Sequence, residues 1–399
     1  MRTKLMNMLQ ERKDEITQIR RHLHEHPELS FHEAETAKFI QDFYKGKDVE
    51  VATEVGNGHA VVVTIKGGKP GKPGKTIALR ADFDALPIEE QTDLPFKSKN
   101  PGVMHACGHD GHTAYLLVLA DCLIQLKENI PGTIKIVHQH AEETPPGGAK
   151  SVVESGILDD VDQIFGIHVF PFGESGQVYY HSGYAMAGRT YFKLKIQGVG
   201  GHGSSPHMAN DAIVAGAYFV TAIQTVVSRR LNPFDTGVIT IGSFDGKGSF
   251  NVIKDAVELE GDVRYMNTEN RDKIDAEIHR IVSGIEAMFG VSVELTYTND
   301  YPPLYNDPAV TEQVVASLQK GLGEYLTDIS MYDMLSGSED FAYYLQKIPG
   351  VFFYIGAKPK NTPHAYFNHH PKFDIDEDAL LVAAKSVADV VLDYFKLNG

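Results

Sequence analysis

Strand and helix signals alternate at both ends of this chain and give way to a different order in its middle. Up to about Gly183, "HAVVVTIKG" and "TIALRAD" read as strands, and Gly111–Lys127, with "HTAYLLVLADCLIQL", reads as a buried helix. "GTIKIVHQHAEE" reads as a strand running into a loop, and "QIFGIHVF" as a further strand. Such alternation predicts an α/β domain with a central, mostly parallel sheet. From about Thr190 to Thr298 the order becomes strand, helix, strand, strand, helix, strand. That is the order of a split βαβ sandwich, and about a hundred residues suffice for a small domain. The α/β pattern then returns with "GVFFYIGA" and the closing helix "EDALLVAAKSVADVVLDYF". The reading is therefore two domains: an α/β domain of residues 1–184 and 299–399, and an inserted α+β domain of residues 185–298. At 399 residues the chain also exceeds the roughly 250–300 that one core usually serves.

Two shorter stretches complete the map. Thr3 to Tyr44 shows helical spacing with charged faces, broken at His26-Pro27. The tract "GGKPGKPGK" between the first two strands reads as a solvated hairpin loop, because its glycines, prolines and lysines cannot form a buried strand.

Charge and cysteine usage exclude several classes. Lys and Arg total 37 against 53 Asp and Glu, a formal charge of −16. That sign repels nucleic acid and anionic membrane surfaces, so neither is expected as a partner. Two cysteines, Cys107 and Cys122, argue against a disulfide scaffold and suit a reducing cytosol. The start "MRTKLMNMLQERKDEI" has no continuous apolar core, and no uncharged apolar run of about 18 residues is apparent. A cytoplasmic location is expected.

Five segments carry metal-ligand or acid–base residue types, and nearly all sit where a strand is predicted to end, the place where α/β sheets hold ligands. The first, "LRADFDALPIE", has Asp82 and Asp84 after a strand, readable as site residues or as turn caps. The second, "MHACGHDGH", puts Cys107, His109, Asp110 and His112 in a short span opening a helix. Thiolate and imidazole are good ligands for zinc-like ions, although a buried thiol beside a helix cap would look the same. In "HQHAEETPPGG", the adjacent Glu142 and Glu143 directly follow an apolar strand. On a surface such a pair is solvated charge. Near a metal it can divide its labour: one carboxylate ligates, while the other takes a proton from a water that the cation acidifies. The fourth is His168 in "GIHVFP", and the fifth is "NHHPKFDIDE" with His369 and His370. Each alone also fits a core or loop histidine. Together they supply donors enough for two cations with room for water.

Ten ordered motifs extend the pattern over essentially the whole chain: "RRHLHEHPELSFHE", "LRADFDALPI", "MHACGHDGH", "AEE", "GIHV", "GGHGSSPH", "FNVI", "GDVR", "GSEDFAYY" and "HHPKFDIDEDAL". On these the chain resembles the co-catalytic metallopeptidases of the aminoacylase, hippurate hydrolase and auxin-conjugate hydrolase type. The resemblance implies a metal-bearing α/β domain with an inserted ferredoxin-like lid that often dimerises, and so a homodimer or higher homo-oligomer. It makes Cys107, His109, Glu143, His168 and His369 ligands of two divalent cations, with Cys107 bridging and His370 as the fallback for the last position. It makes Glu142 the general base and then acid, and lets Asp82 orient the site from behind the ligands. From the lid, His202 would steady the oxyanion, and Asn251 and Arg264 would hold the substrate carboxylate. Zinc or manganese suits the donor set, with cobalt and nickel as further candidates.

The implied activity is hydrolysis of the amide of N-acyl amino acids or very small peptides. The rival readings are a true peptidase acting on short peptides and a non-catalytic binding module keeping the fold. Two departures from the family's pattern stand out, Lys254 after "FNVI" and Thr144-Pro145-Pro146 after the double glutamate, and the latter loop borders the site and so points to an altered substrate preference.

Overall fold

A computed structural model describes residues 1–69, 75–360, 362 and 364–397. The chain forms two compact units, Met1–Ala185 with Tyr305–Asp333 and Asp340–Gly399, and Met186–Leu304 with Met334–Glu339.

The first unit is built on an eight-stranded sheet. Its strands lie in the order Glu50–Val55, Ala60–Lys66, Thr133–Gln139, Thr76–Asp82, Gln163–Phe170, Gly350–Gly356, Gln177–Tyr180, Asp328–Met331. The four strands from Thr133–Gln139 to Gly350–Gly356 run parallel. Outside them the pairing turns antiparallel at Glu50–Val55 with Ala60–Lys66, at Ala60–Lys66 with Thr133–Gln139, and at Gly350–Gly356 with Gln177–Tyr180. The mostly parallel sheet of the sequence reading is thus corrected to a mixed one. The reason on one side is a short connection: Gly56 and Asn57 turn the chain at φ 71° and 58°, which permits only an antiparallel return.

A second correction concerns the expected hairpin between Ala60–Lys66 and Thr76–Asp82. Those strands do not pair, because Thr133–Gln139 lies between them. Most of the "GGKPGKPGK" tract itself, residues 70–74, lies outside the described residues.

Alternate side chains of the parallel strands, including Ile77, Leu79, Ile136, Phe165, Ile167 and Phe353, enter one apolar core with helices Arg2–Glu11, Lys13–Glu25, His109–Gln125 and Asp378–Tyr394. Every residue of His109–Gln125 from His109 through Leu123 is buried. The helix is therefore buried on all sides rather than amphipathic, apolar from Ala114 to Ala120 and polar in its first turn, where His109, Asp110 and His112 lie. The helical start of the chain breaks into Arg2–Glu11, Lys13–Glu25 and Ala34–Tyr44, the second ending just before His26-Pro27.

The second unit carries a four-stranded antiparallel sheet ordered Gly237–Asp245, Ala256–Tyr265, Gly188–Gln197, Ser292–Asn299. Alternation sets its faces: Phe192, Leu194 and Ile196 are buried while Lys193 and Lys195 are exposed. A Cβ on Gly261 would come within 2.2 Å of the Phe192 ring, so the cross-strand aromatic requires glycine there. Helices Ala212–Thr225 and Thr268–Phe289 close the core through Phe219, Ile223, Ile274 and Ile278. Asp211 caps the first by accepting from the Ile213 and Val214 N–H groups, and Asn267 caps the second through Asn270 N–H. The stretch Ala212–Arg230 is long and apolar enough to cross a membrane by length and composition, which qualifies the expectation of no such run. Its Ala212, Ala215, Phe219 and Ile223 belong to this unit's core.

Truncating the core beneath the parallel strands should be costly. Phe353 is fully buried, and Phe353→Ala is expected to lower the unfolding free energy by about 3–5 kcal/mol. Denaturant unfolding measures this, and a loss well under about 1 kcal/mol would show that the site collapses around the cavity.

Candidate metal centre

The parallel strands end side by side, and the chemistry-bearing residues follow. Asp82 closes Thr76–Asp82 opposite Gln139, and His168 stands near the end of Gln163–Phe170 opposite Tyr354. Glu142 and Glu143 come just after Thr133–Gln139. Cys107 precedes helix His109–Gln125, where Gly108 turns at φ 95° and a Cβ would strike Val169 at 2.5 Å. His369 arrives on a late loop with φ 69°, anchored by its N–H to the Ala106 carbonyl at 2.7 Å.

These turns bring donor atoms into overlapping groups, each spanning less than 4.8 Å: Cys107 with His109 and His168, Cys107 with Glu143 and His369, and His109 with Glu142 and Glu143. Cys107 Sγ lies 3.3 Å from His168 Nε2, and Glu143 Oε1 lies 3.2 Å from His369 Nε2. Of the last two histidines, His369 meets the cluster. His370 stacks on Tyr366 at 4.3 Å and accepts the Lys372 N–H.

The imidazoles are oriented from behind. His109 gives Nδ1 to the Asp84 carbonyl at 3.0 Å and its carboxylate at 3.2 Å. Its Nε2, buried and facing Asp82 at 3.7 Å and Glu143 at 3.9 Å, makes no hydrogen bond. His168 spends Nδ1 on the Val169 carbonyl at 2.8 Å, so Nε2 is the atom presented to the cluster. His112 differs: Nδ1 meets Asp82 at 2.6 Å and Nε2 accepts Val169 N–H at 3.0 Å, so both nitrogens are engaged. Asp82 in turn is held by Arg80 at 2.6 Å, whose other donors reach Gln139 and Asp340 at 2.8 and 2.7 Å.

The electrostatics show what the cluster lacks. Burial disfavours a charged His109, yet Asp82, Asp84 and Cys107 together hold it well above the ordinary imidazole value. His369 is driven up to about 10 by Cys107 and Glu143. Burial, with Glu143 adding, pushes the Cys107 thiol up, and burial pushes His168 well below the imidazole value. Burial also opposes the Asp82 carboxylate, but Arg80, His109 and His112 hold it well below the usual range. Carboxylates and the sulfur thus raise the proton affinity of His109 and His369, while burial lowers that of His168. Divalent cations would satisfy the same demand with those imidazoles neutral. A buried His109 Nε2 without a hydrogen-bond partner among the described residues, a Glu143 Oε1 shared with His369 Nε2, and a soft sulfur beside them fit such cations.

The residues expected from the inserted domain lie in the second unit. The strand Gly201–His202 pairs with Val252–Ile253, which sets His202 opposite Val252 and next to the Asn251 carbonyl, bonded by Gly203 N–H at 2.8 Å. His202 is exposed, with Nδ1 accepting the Ser204 hydroxyl at 2.8 Å. Arg264 Nε bonds Asp262, two residues earlier in "GDVR", at 2.8 Å, and its Nη1 reaches Ser338 Oγ at 3.4 Å.

Sequence reasoning assigned no role to Asp84, Arg80, His112 or Asp340. The Asp-x-Asp spacing at a strand end was the available signal for Asp84. Nothing local points to Asp340, 260 residues from its partner Arg80.

The strand-end position and this donor set define a centre for divalent cations in an α/β hydrolase. The chain belongs to the peptidase family M20/M25/M40, whose profile matches residues 78–393. A protein of methicillin-resistant Staphylococcus aureus, provisionally described as an aminohydrolase, is 56% identical and superposes with a TM-score of 0.93, covering 99% of this chain and 100% of that one. The YXEP protein of Bacillus subtilis, a dinuclear metal-binding peptidase of the M20 family, is 34% identical over 96% of this chain and 98% of its own, with a TM-score of 0.81. An N-acetyl-L-cysteine deacetylase of Bacillus subtilis (strain 168) is 39% identical over 367 residues, 92% of this chain and 85% of that protein. The chain is a hydrolase of amide bonds.

Cation binding should couple to stability. After chelation and dialysis, zinc or manganese at a hundredfold over its Kd is expected to add about 2.7 kcal/mol per site, read as a rise in Tm. Glu143→Ala should lose most of that rise. A melting temperature indifferent to zinc, manganese, cobalt and nickel alike would reject the centre.

Proposed function

We propose that the enzyme hydrolyses the amide of N-acyl amino acids or very small peptides, using two divalent cations held by Cys107, His109, Glu143, His168 and His369, with zinc or manganese as first candidates. The observation that carries this reading is the meeting of those five side chains around one place with Glu142 beside them. Cations held there would acidify a bound water and polarise the scissile carbonyl.

Glu142 is buried at the cluster, and its Oε1 receives the Asp340 N–H at 3.4 Å. A carboxylate so placed takes the proton of the attacking water as the new C–O bond forms. It then delivers that proton to the nitrogen as the C–N bond breaks. Asp82 contributes indirectly by fixing His112 and Arg80 around the ligands. His202 is the donor for the oxyanion of the tetrahedral intermediate, a role that contributes on the order of 3 kcal/mol where measured. Asn251 and Arg264 hold the substrate carboxylate. Arg264 suits the task because Asp262 fixes one edge of its planar fork, so that little freedom remains to be lost on binding.

The strand-helix-strand-strand-helix-strand order of residues 185–298 supports reading the insertion as a ferredoxin-like lid and dimerisation domain. Helix Ala212–Thr225 leaves Ile213, Val214 and Tyr218 exposed, and Gly237–Asp245 is an edge strand with Val238 and Phe244 exposed. A second copy of the chain would cover such an apolar face and open edge. Tyr218→Glu is expected to convert a dimer to monomer in sedimentation. A wild-type chain that already sediments as a monomer at micromolar concentration would end this reading.

A peptidase acting on short substrates is the second reading, favoured by the YXEP relative's description as a peptidase. A panel of N-acetyl and N-benzoyl amino acids and dipeptides separates the two, with kcat/KM expected to favour the acyl amino acids. Glu142→Ala should keep its cations and lose on the order of 10²–10⁴ in kcat. Metal analysis beside turnover checks this, and an active variant would remove Glu142 as the base.

A further inference from the structure

The N-terminal segment "PELSFHE" takes no part in the mechanism, yet it is built against the back of the centre. Leu29 bridges Ala85, and the Glu28 carbonyl accepts Ala85 N–H at 2.8 Å. Ser30 Oγ donates to Asp84 at 2.7 Å. Glu33, at the start of helix Ala34–Tyr44, is fully buried. Its Oε1 accepts the Ala141 N–H at 2.8 Å, and its Oε2 has no hydrogen-bond partner.

Ala141 is the residue that needs holding. It sits in the left-handed region at φ 51°, fully buried, immediately before Glu142 and Glu143. For a non-glycine residue that conformation is unfavourable, and it persists only where surroundings over-determine it. Both of its backbone polar groups are engaged: the N–H by Glu33, and the carbonyl by Gly148 N–H at 3.0 Å. Past this turn the two glutamates part. The Glu143 N–H goes to Asp84 at 2.9 Å, while the Glu142 carboxylate receives Asp340 N–H.

We propose that Glu33 is a positioning residue whose buried carboxyl pins the Ala141 N–H and so locks the left-handed turn that aims Glu142 and Glu143. Burial, with the Asp84 charge adding, pushes the Glu33 carboxyl up to about 8. A neutral acid in this place needs one acceptor oxygen for Ala141 and no counter-ion. Glutamine supplies the same acceptor, and methionine keeps the length but not the acceptor.

The inference rests on the reading of Glu142 as base and Glu143 as ligand, and the test separates the two. Glu33→Gln, Glu33→Met, Glu33→Met with Ala141→Gly, and Glu142→Ala are compared with wild type as cation-loaded enzymes. The readouts are kcat, KM, cation affinity and circular dichroism. Glu33→Met is expected to lose on the order of 100-fold in kcat with little change in KM, and to bind cations about tenfold more weakly. Glu33→Gln should match wild type on both counts. Because glycine adopts the left-handed turn without penalty, adding Ala141→Gly to Glu33→Met should restore much of the loss. A merely structural Glu33 would give no such rescue. A Glu33→Met enzyme as fast as wild type, a Glu33→Gln enzyme as slow as Glu33→Met, or a double variant showing no rescue overturns the proposal. An active Glu142→Ala instead overturns the assignment of the base.

Discussion

Asp82 and Asp84, two residues apart at the end of one strand, are the buried charges on which the centre depends. Asp82 fixes His112 and pairs with Arg80, while Asp84 holds His109, Ser30 and the Glu143 backbone. Asp82 is the last residue of strand Thr76–Asp82 and Asp84 follows just past its end, with the buried Phe83 between them. Burying two carboxylates in water-poor surroundings is unfavourable unless each lone pair finds a donor. Here imidazole, guanidinium, hydroxyl and backbone N–H groups supply those donors. Removing one partner of such a buried pair typically costs about 3–5 kcal/mol. The orientation of the cluster side chains is therefore tied to the stability of the α/β unit itself.

The same network explains why the centre asks for cations. Arg80 is shared among Asp82, Gln139 and Asp340, and Arg20 among Asp110, Asp374 and Glu377. Those guanidiniums are committed to carboxylates other than Glu143. Glu143 and Cys107 are left with His109, His168 and His369 as neighbours. Glu143 and Cys107 beside these imidazoles raise the proton affinity of His369, and Asp82, Asp84 and Cys107 raise that of His109, which is the electrostatic demand that a divalent cation would meet.

Much of this was legible in the sequence, and what was not has a physical reason. The parallel core strands are rich in apolar residues, and helix His109–Gln125 has the apolar run Ala114–Ala120 at its centre, so pattern and length found them. The elements of residues 188–299 appear in the expected order, helped by the clean alternation of Gly188–Gln197 and Ala256–Tyr265. The antiparallel margins were missed, since Glu50–Val55, Gln177–Tyr180 and Asp328–Met331 are short and partly exposed, with little apolar pattern. The false hairpin came from proximity in sequence. A strand order with Thr133–Gln139 inserted between two earlier strands is a long-range choice that no local signal encodes. The cluster residues were found by type and motif. Their supports were not: an Arg80–Asp340 contact or a Glu33–Ala141 bond joins residues far apart in the chain, each ordinary in its own neighbourhood.

Backbone conformation connects these levels. Gly108, Ala141 and His369 have φ of 95°, 51° and 69°, and each adjoins or is a cluster residue. A strand that continued straight would carry its side chains past the sheet, whereas a left-handed residue reverses the path within one step. At Gly108 the demand is met by lacking a Cβ, which would otherwise meet Val169. At Ala141 and His369 it is met against intrinsic preference, by buried hydrogen bonds to Glu33 and Ala106. Strain of this kind is sustained only by a rigid frame, and the frame is the parallel core with its fully buried helix. The apolar layer thus does more than fold the chain: it holds three left-handed turns in place, two of them against intrinsic preference, so that donors from four separate segments face one another.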